Sequence, residues 1–384
     1  MNGHFVPRRI VVISDFQGGE EFASHLPGVD EYRDRWVAQR PAELLHDSDP
    51  SRVVVEGGYL ERLPLACIKA GLVDKAEIWS HWRNANCPMP ATDNSGFITR
   101  LQFQTNGPEL PFCSNDILGY IKAVGPPDIL CVWGLGVAED ILEACETSFK
   151  IYNSIDAPAL RVPPSVSRHF DLVLTGAEWQ SREVLQRHPG MKTLVLPIGP
   201  EFAADTLFYP TGDRKTYDII YVAAAQAYKR HDVLFNAMAK LPRDLRALCV
   251  SGYGETAEEL RAMARDLSID VEFIGPPGVS FGEVNALMNK ARLGVVCGVD
   301  DGAPAIITEY MLAGLPVLAN AELRCGLQYI TPKTGQAWSA EHFHEGISHM
   351  LANLSTFTPR DIAIRNWTWP NSICRLKAAI DRAG

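Results

Sequence analysis

Two carboxylates on either side of a short turn are the strongest chemical signal in the sequence. Asp301 precedes the turn at residues 302–304, which reads Gly-Ala-Pro, and Glu309 lies eight positions after Asp301. Carboxylates accept hydrogen bonds from the hydroxyl groups that sugars and riboses offer. The spacing predicts Asp301 in a loop at the mouth of a site and Glu309 facing outward about two helical turns later.

The same turn predicts an anion site. Backbone N–H groups near Gly302 and Ala303 would lie at the start of a helix, where they lack intrahelical partners and where the helix dipole adds positive charge. An anion could bind there. The alternative is that Asp301 only caps the helix and Glu309 only lies on its solvated face.

These residues need a strand before the turn and a helix after it. The apolar run at residues 293–297 predicts a buried strand, and Pro304 suits the first turn of the helix because its missing N–H group costs nothing there. A further strand is predicted at residues 316–319. The turn is therefore predicted to connect a strand to a helix inside a parallel sheet.

A glycine pair follows the first predicted strand of the chain. That strand is expected at residues 10–14, and Gly18 and Gly19 come after it. Such a turn brings the backbone close to a ligand, because glycine has no side chain to keep the ligand away. A mobile loop is the alternative.

Strand-like runs alternate with helical patterns along the whole chain. In the first half, strands are predicted at residues 52–56, 76–80, 97–103, 129–133, 150–153, 172–175 and 193–197, with helices at 60–70, 137–147 and 178–187. In the second half, strands are predicted at 217–223, 247–251 and 271–275, with helices at 231–240, 255–267 and 281–291. This alternation predicts an α/β protein with doubly wound sheets.

The chain of 384 residues exceeds what one hydrophobic core usually serves, so two domains are expected. We predict a Rossmann-like N-terminal domain at residues 1–197 and a second Rossmann-like domain at 198–365. Residues 366–384 are predicted to form a C-terminal helix. Residues 198–210 lack a sustained hydrophobic period and are predicted to be an interdomain linker.

Composition excludes several classes of partner. A net charge of −10 argues against nucleic acid or an anionic membrane as the main partner. The nine cysteines form no C-x-x-C pair, and the ten histidines lack zinc-binding spacings, so we expect reduced thiols and no metal site. We also expect no transmembrane segment, and a soluble cytoplasmic protein, because the longest N-terminal apolar run is short.

Residues 301–317 resemble the signature of retaining family-four glycosyltransferases, the group 1 type with a GT-B fold. The family pattern is Glu, seven residues, Glu, and then Gly-x-Pro-Val; here Asp301 stands for the first acid, and Glu309 and residues 314–317 match the rest. The resemblance covers residues 170 to 380 well and the first half in outline. It implies two Rossmann-like domains facing across a cleft, with a C-terminal helix that crosses back onto the first domain.

The resemblance also implies an activity. Members transfer a glycosyl group from a nucleotide diphosphate sugar, UDP- or GDP-linked, to an acceptor hydroxyl with retention of anomeric configuration. The donor binds the second domain, and the acceptor, a sugar, a glycan or a small molecule, binds the first. No metal or other cofactor is implied, and no side-chain nucleophile is expected because retaining enzymes of this fold are thought to use front-face attack.

Roles for individual residues come from the same resemblance. Lys229 matches the lysine that holds the donor diphosphate, and Ala224 stands where the family has an arginine, for which Arg230 could substitute. Lys229 and Asp301 are thus the predicted catalytic residues, and Glu309 is predicted to bind the ribose. The amides of residues 302–303 are expected beside the phosphates, and Gly18 and Gly19 match the family's glycine-rich loop. A surface lysine is the alternative for Lys229.

The first domain has fewer residues that match the family. Many family members carry a histidine after a mid-domain strand, and none follows Trp133 here. Asp15 and His81 are candidates for the acceptor site, and a core or surface role is the alternative for each. Two other functions stay open: a GT-B nucleotide-sugar epimerase, and a non-catalytic partner subunit, which the absence of an arginine at Ala224 favours slightly.

Overall fold

The protein is described by a computed structural model that covers residues 8–39, 49–156 and 158–382. The predicted first domain includes residues 1–7, 40–48 and 157, and the predicted C-terminal helix includes residues 383–384; these residues lie outside the described ranges. The chain divides into two units. The first contains residues up to Ile198 together with residues from Ile373 onward, and the second is Gly199–Ser372.

The first unit contains an eight-stranded sheet. Its strands are β1 (Arg9–Gly18), β2 (Lys75–Trp82), β3 (Ala91–Thr92), β4 (Ile98–Gln104), β5 (Ile129–Trp133), β6 (Phe149–Asn153), β7 (Leu172–Thr175) and β8 (Lys192–Val195). Their order is β3-β4-β2-β1-β5-β6-β7-β8, and all pairs are parallel except β3 with β4. Residues 10–13 of the central strand β1 are fully buried, which explains why they form a continuous apolar run.

Helices cover this sheet. They are α1 (Val29–Gln39), α2 (Arg62–Lys69), α3 (Asn115–Val124), α4 (Glu139–Ala144), α5 (Pro164–Ser167) and α6 (Glu178–Arg187). α3 begins at a side-chain cap, because the Ser114 hydroxyl accepts from the N–H of Ile117. The core on one side of the sheet is rich in aromatic side chains, including Trp36, Trp79 and Phe103.

The second unit repeats the architecture with six parallel strands. They are β9 (Tyr217–Val222), β10 (Arg246–Val250), β11 (Asp270–Ile274), β12 (Ala291–Val296), β13 (Val317–Asn320) and β14 (Gly335–Trp338), in the order β11-β10-β9-β12-β13-β14. The helices in this half of the chain are α7 (Ile198–Glu201), α8 (His231–Ala239), α9 (Ala257–Asp266), α10 (Phe281–Asn289), α11 (Ile306–Leu312), α12 (Phe343–Ala352), α13 (Pro359–Asn366) and α14 (Trp369–Asp381), and most of α14 belongs to the first unit. The predicted doubly wound α/β class is confirmed.

The strand predicted at residues 52–56 is wrong. The chain forms a 3₁₀ turn at Pro50–Arg52, and residues 53–56 are not in a strand. The Asp49 carboxylate accepts from the N–H of Ser51, and Pro50 occupies the first helical position. These two features favour a capped turn, which the β-branched residues Val53 and Val55 masked in the sequence pattern.

The segment at residues 198–210 is more ordered than the predicted linker. It begins with the short helix α7, and Phe202, Ala203 and Phe208 are fully buried. Ala203 forms a β-bridge with Thr368. The apolar side chains explain this order, since they bury in the second unit, while the proline and glycine content suggested an open connection.

The C-terminal helix α14 starts at Trp369, and its residues from Ile373 onward are part of the first unit. Arg375 donates to the carbonyl of Val195 at 2.8 Å, and Lys192 donates to the carbonyl of Arg382 at 2.9 Å. The last helix therefore packs beside β8. Within the described residues, no helix combines the length and the apolar character needed to cross a membrane.

Candidate functional site

The site lies at the carboxyl edge of the second sheet, where loops after β9, β10 and β12 leave the sheet together. Two loops are joined by backbone hydrogen bonds: the N–H of Ala225 donates to Tyr253 at 2.8 Å, and the N–H of Thr256 donates to Ala225 at 3.0 Å. Gly254 has φ +131°, and a Cβ there would come within 2.1 Å of the Ala225 carbonyl oxygen. Only glycine permits this approach.

Lys229 is the last residue of a 3₁₀ turn, Ala227–Lys229, that follows β9. Tyr221, buried in β9, donates its hydroxyl hydrogen to the carbonyl of Lys229 at 2.6 Å. Arg230 then takes a left-handed conformation with φ 54°, and α8 starts directly after it. The Nζ of Lys229 lies 4.7 Å from the centre of the Tyr228 ring, a cation–π distance. Tyrosine side chains therefore contact both the backbone and the charged end of Lys229.

Lys229 and Asp301 form an ion pair, and the lysine Nζ donates a hydrogen bond to the Oδ2 of Asp301. The two side chains are only 18% and 13% exposed. The other oxygen of Asp301, Oδ1, accepts from the N–H of Ala303 at 3.4 Å. One carboxylate thus contacts an ammonium group and a backbone N–H group together. Charge-assisted bonds of this kind are stronger than neutral ones.

The helix after the turn begins later than predicted. α11 starts at Ile306, so Pro304 lies before it, and the N–H of Ile307 donates to the Pro304 carbonyl at 3.2 Å. Pro304 instead packs beside Gly326, where an added Cβ would come within 2.8 Å of the proline ring. Gly302 and Ala303 are buried in the loop between β12 and the helix, so the prediction that their N–H groups lie at the start of the helix is wrong.

The prediction that Glu309 faces outward is wrong. Glu309 is 7% exposed, and every residue from 307 to 312 is buried. The hydroxyl of Tyr310 donates to the carbonyl of Ile220 at 3.2 Å and accepts from the N–H of Val222 at 2.7 Å, which ties α11 to β9. A helix enclosed on all sides has no solvated face, so helical spacing alone misplaced this glutamate.

Arg230, the predicted substitute for the missing arginine, binds an acid of its own. Its Nε and one terminal nitrogen donate to the two oxygens of Asp232, each at 2.9 Å. These hydrogen bonds raise the pKa of Arg230. Ala224 itself is buried. The second cation beside Lys229 therefore has a fork-shaped contact with a carboxylate two residues away.

Gly18 and Gly19 lie in the first unit and are packed against β2. β1 continues to Gly18, four residues beyond the predicted strand end, with an irregularity in pairing between Ile13 and Gln17. A Cβ at Gly18 would come within 2.2 Å of the Trp82 ring, and Gly19 has φ +84°. The glycine pair thus permits close packing on Trp82, a constraint that sequence spacing does not reveal.

Asp15 and His81 lie at the carboxyl edge of the first sheet. Asp15 forms an ion pair with Arg161 at 3.3 Å and accepts from the N–H of Leu135 at 3.2 Å. His81 is fully buried, and its Nε2 lies 2.5 Å from the carbonyl oxygen of Gly136. Burial lowers the pKa of His81 to about 4, so the neutral ring donates through Nε2. The loop after β5 therefore holds both side chains.

Sequence reasoning missed two exposed tyrosines. Tyr228 and Tyr253 are 41% and 63% exposed, on the two loops that backbone hydrogen bonds join beside Lys229. Burial of its remaining surface raises the pKa of Tyr228, and the charge of Lys229 opposes this. Exposed aromatic rings offer flat apolar faces with a polar end. Their signal in the sequence is one tyrosine inside each strand-to-helix loop.

One group among the described residues has ligand types suited to a metal. Atoms of Glu139, Glu143 and His169 all lie within 4.8 Å of one another. Glu139 also accepts from Arg168 at 2.6 Å and contacts the Nε2 of His169 at 2.8 Å. The hydrogen bond from His169, followed by that from Arg168, lowers the pKa of Glu139. This surface group in the first unit is an ion-pair network that already contains a cation.

Comparison with protein families gives one match. The family described as glycosyl transferases group 1 matches residues 210–354, which is less than half of the chain. This segment contains Lys229, Asp301 and Glu309, and the match confirms the resemblance predicted from the motif. A comparison with curated proteins finds no match.

Solved structures share the fold. Sucrose-phosphate synthase from Thermosynechococcus elongatus has 17% identity and a TM-score of 0.68 over 98% of each chain. Anabaena HepE, solved with UDP and glucose, has 12% identity and a TM-score of 0.61 over 98% of this chain and all of its own. These similarities confirm the GT-B fold.

A third structure is longer than this chain. The pneumococcal O-GlcNAc transferase GtfA, solved with UDP and GlcNAc, has 12% identity and a TM-score of 0.57. The match covers 71% of this chain and 61% of GtfA, so the matched part of this chain spans about three fifths of the length of that transferase. The similarity again concerns the fold alone.

Proposed function

We propose that the protein is a metal-independent retaining glycosyltransferase that moves a hexosyl group from a UDP- or GDP-linked sugar to an acceptor hydroxyl. The observation that carries the proposal is the Lys229–Asp301 pair at the carboxyl edge of the sheet that matches group 1 glycosyltransferases. Ligand sites of such sheets lie at this edge. Structures of the same fold solved with UDP and a sugar support it further.

The proposed reaction is a direct transfer of the glycosyl group from the donor to the acceptor. The bond between the sugar's anomeric carbon and the diphosphate oxygen breaks, and the acceptor oxygen forms a bond to that carbon on the same face. The acceptor proton leaves with the diphosphate. Lys229 and the amides of Gly302 and Ala303 offset the charge that grows on the leaving group. Asp301 accepts from sugar hydroxyls, and Glu309 from the ribose.

The first unit would bind the acceptor, a sugar, a glycan or a small molecule. Asp15 and Arg161 offer an accepting and a donating group at the carboxyl edge of its sheet. The tight packing of Gly18 and Gly19 on Trp82 would fix the loop that follows β1. We also place the protein in the cytoplasm, because its nine cysteines, all within the described ranges, are free thiols.

A non-catalytic partner subunit is the second candidate. One observation favours it: Ala224 replaces the family's arginine, and Arg230 has Asp232 as a bidentate partner. A subunit of this kind would keep the fold and bind nucleotide weakly.

The two candidates differ in turnover. Purified protein is incubated with UDP- and GDP-hexoses and a panel of sugar acceptors, and products are analysed by NMR for the new linkage and its anomeric configuration. We expect a product with the donor's configuration, and its loss in Lys229→Ala. An inverted product would overturn retention, and an isomerised donor without acceptor would indicate an epimerase. No turnover with any donor would favour the partner subunit.

A further inference from the structure

The carboxylate of Asp301 makes the contacts that an anionic ligand would make at this edge. Its Oδ2 accepts from the ammonium group of Lys229, and its Oδ1 accepts from the N–H of Ala303. Ammonium groups and backbone N–H groups are among the donors that bind phosphate in proteins. Asp301 thus contacts Lys229 and the Ala303 amide, which are two of the three donors assigned to the diphosphate.

We infer that Asp301 is a tethered competitor for the diphosphate site and so makes the protein discriminate between a nucleotide sugar and a free nucleoside diphosphate. This inference rests on the proposed function. A phosphate carries more charge and more acceptor oxygens than a carboxylate, so it displaces Asp301 from Lys229. The affinity of any diphosphate is lowered by the cost of that displacement.

The released carboxylate has different fates with the two ligands. When a nucleotide sugar is bound, Asp301 can accept hydrogen bonds from the sugar hydroxyls, which offset the lost contact with Lys229. A nucleoside diphosphate without a sugar offers no such hydroxyls, and the carboxylate is left beside a phosphate of the same charge. Asp301 therefore penalises the free nucleotide, which is the product, more than the donor.

Other ion pairs on the same edge lack this arrangement. The side chain of Asp232 accepts both of its hydrogen bonds from the guanidinium of Arg230, two positions before it in the sequence. Asp300 is 3.6 Å from Arg324, and its side chain is 59% exposed. Asp300 is adjacent to Asp301 and has the same charge, so it provides a matched control for a general charge effect.

The test compares five ligands in three proteins. Inorganic pyrophosphate, UDP and UDP-glucose, with GDP and GDP-mannose as the second pair, are titrated by calorimetry into the parent, Asp301→Asn and Asp300→Asn. We expect Asp301→Asn to bind pyrophosphate and the nucleoside diphosphate about tenfold more tightly, as removal of about 1.4 kcal/mol of competition predicts. Its preference for the nucleotide sugar over the diphosphate should shrink. Asp300→Asn should stay within about twofold of the parent.

Two further variants keep the test decisive. In a Lys229→Ala background, Asp301→Asn should give no gain in pyrophosphate affinity, because the competed cation is gone. Asp301→Ser, which retains an acceptor oxygen for the Ala303 amide, serves if the asparagine variant fails to fold. Thermal unfolding of each protein confirms that it is folded.

The outcomes separate the inference from the proposed function. Unchanged or weaker pyrophosphate and diphosphate binding in Asp301→Asn overturns the inference, and so does an equal gain in Asp300→Asn. If nucleotides bind the parent while the Asp301 variants show no gain, the proposed donor site stands and only the competitor role fails. If pyrophosphate binding rises in Asp301→Asn but no nucleotide or nucleotide sugar binds either protein, the competitor role stands and the proposed donor fails.

Discussion

Lys229 and Asp301 meet at one carboxyl edge, although 72 positions separate them in the sequence. Lys229 follows β9 and Asp301 follows β12, and these two strands are neighbours in the sheet. Because both strands are parallel, their following loops leave on the same side. The order of the strands therefore brings the two side chains together, and it places Lys229 beside the motif that contains Asp301.

Replacing Lys229 by alanine should weaken binding of UDP or GDP by roughly ten- to a hundredfold, because a charge-assisted hydrogen bond to phosphate contributes about 1.5–3 kcal/mol. Binding of the uncharged nucleoside should change little. Calorimetric titration measures both. Equal losses for nucleoside and diphosphate would show that Lys229 has a structural role.

Arg230→Ala is the control for that variant. Arg230 is bound by both oxygens of Asp232 and about 40% exposed, so its removal should cost less diphosphate affinity than removal of Lys229. If Arg230→Ala loses more affinity than Lys229→Ala, Arg230 is the main side chain that binds the diphosphate. It would then substitute for the arginine that the family has at the position of Ala224.

Glu309→Gln should weaken binding of a nucleoside diphosphate, because a neutral amide oxygen accepts from ribose hydroxyls less strongly than a carboxylate. Glu309 is buried, so a change in folding has to be measured separately by thermal unfolding. Tight binding by a stable variant would exclude the ribose role. A 2′-deoxy nucleotide provides a second comparison, since its affinity should respond less to the substitution.

Activity should persist in excess EDTA, because the charge of the leaving diphosphate is offset by Lys229 and backbone amides in the proposed mechanism. Transfer is measured with and without EDTA, and with added magnesium or manganese. Glu143→Gln, which alters the Glu139–Glu143–His169 group, should leave transfer unchanged. Loss of activity in EDTA that magnesium restores would contradict metal independence.

His231 should make stability depend on pH. Its two ring nitrogens have no hydrogen-bond partner among the described residues, and its ring packs on Tyr221 with centroids 4.7 Å apart. Burial, followed by the charge of Lys229, lowers the pKa of His231 to about 4 from 6.5. Between these values the unfolded chain binds more protons than the folded protein, so stability falls as pH decreases through this window and is full above it.

His231→Phe keeps an aromatic ring and removes the titrating group. As pH decreases through this window, the free energy of unfolding should therefore fall less steeply in the variant than in the parent. The two slopes should differ by on the order of 1.4 kcal/mol per pH unit. Parallel curves for parent and variant would show that His231 does not set the slope.

The elements could be predicted from sequence where hydrophobic runs were long. Central strands such as Ile129–Trp133 are buried along their whole length, so they appear in the sequence as short, continuous apolar runs. The strand predicted at residues 52–56 is wrong because the β-branched residues Val53 and Val55 suggest a strand, whereas the Asp49 cap and Pro50 favour a turn. β14, with the sequence Gly-Gln-Ala-Trp, was not predicted because four residues are too few to show a strand pattern. It is recognised as a strand by its pairing with β13.

The sequence could predict which residues belong to the site, but it could not predict most of the contacts that they make. Lys229 and Asp301 were named because their positions match a motif, whereas their ion pair depends on strand order. The burial of Glu309 depends on Tyr310, which anchors α11 to β9. The packing of Gly18 depends on Trp82, which lies 64 positions away. Such tertiary contacts leave no periodic signal in a single sequence.

Thermal unfolding with a panel of nucleoside diphosphates tests the central claim most directly. UDP, GDP, ADP and dTDP are each added to the parent and to Lys229→Ala at high concentration. A ligand at about 100 times its dissociation constant stabilises by about 2.7 kcal/mol. The proposed donor site predicts that UDP or GDP raises the unfolding temperature of the parent, and that the rise shrinks in Lys229→Ala. No rise with any diphosphate, or an equal rise in both proteins, would contradict it.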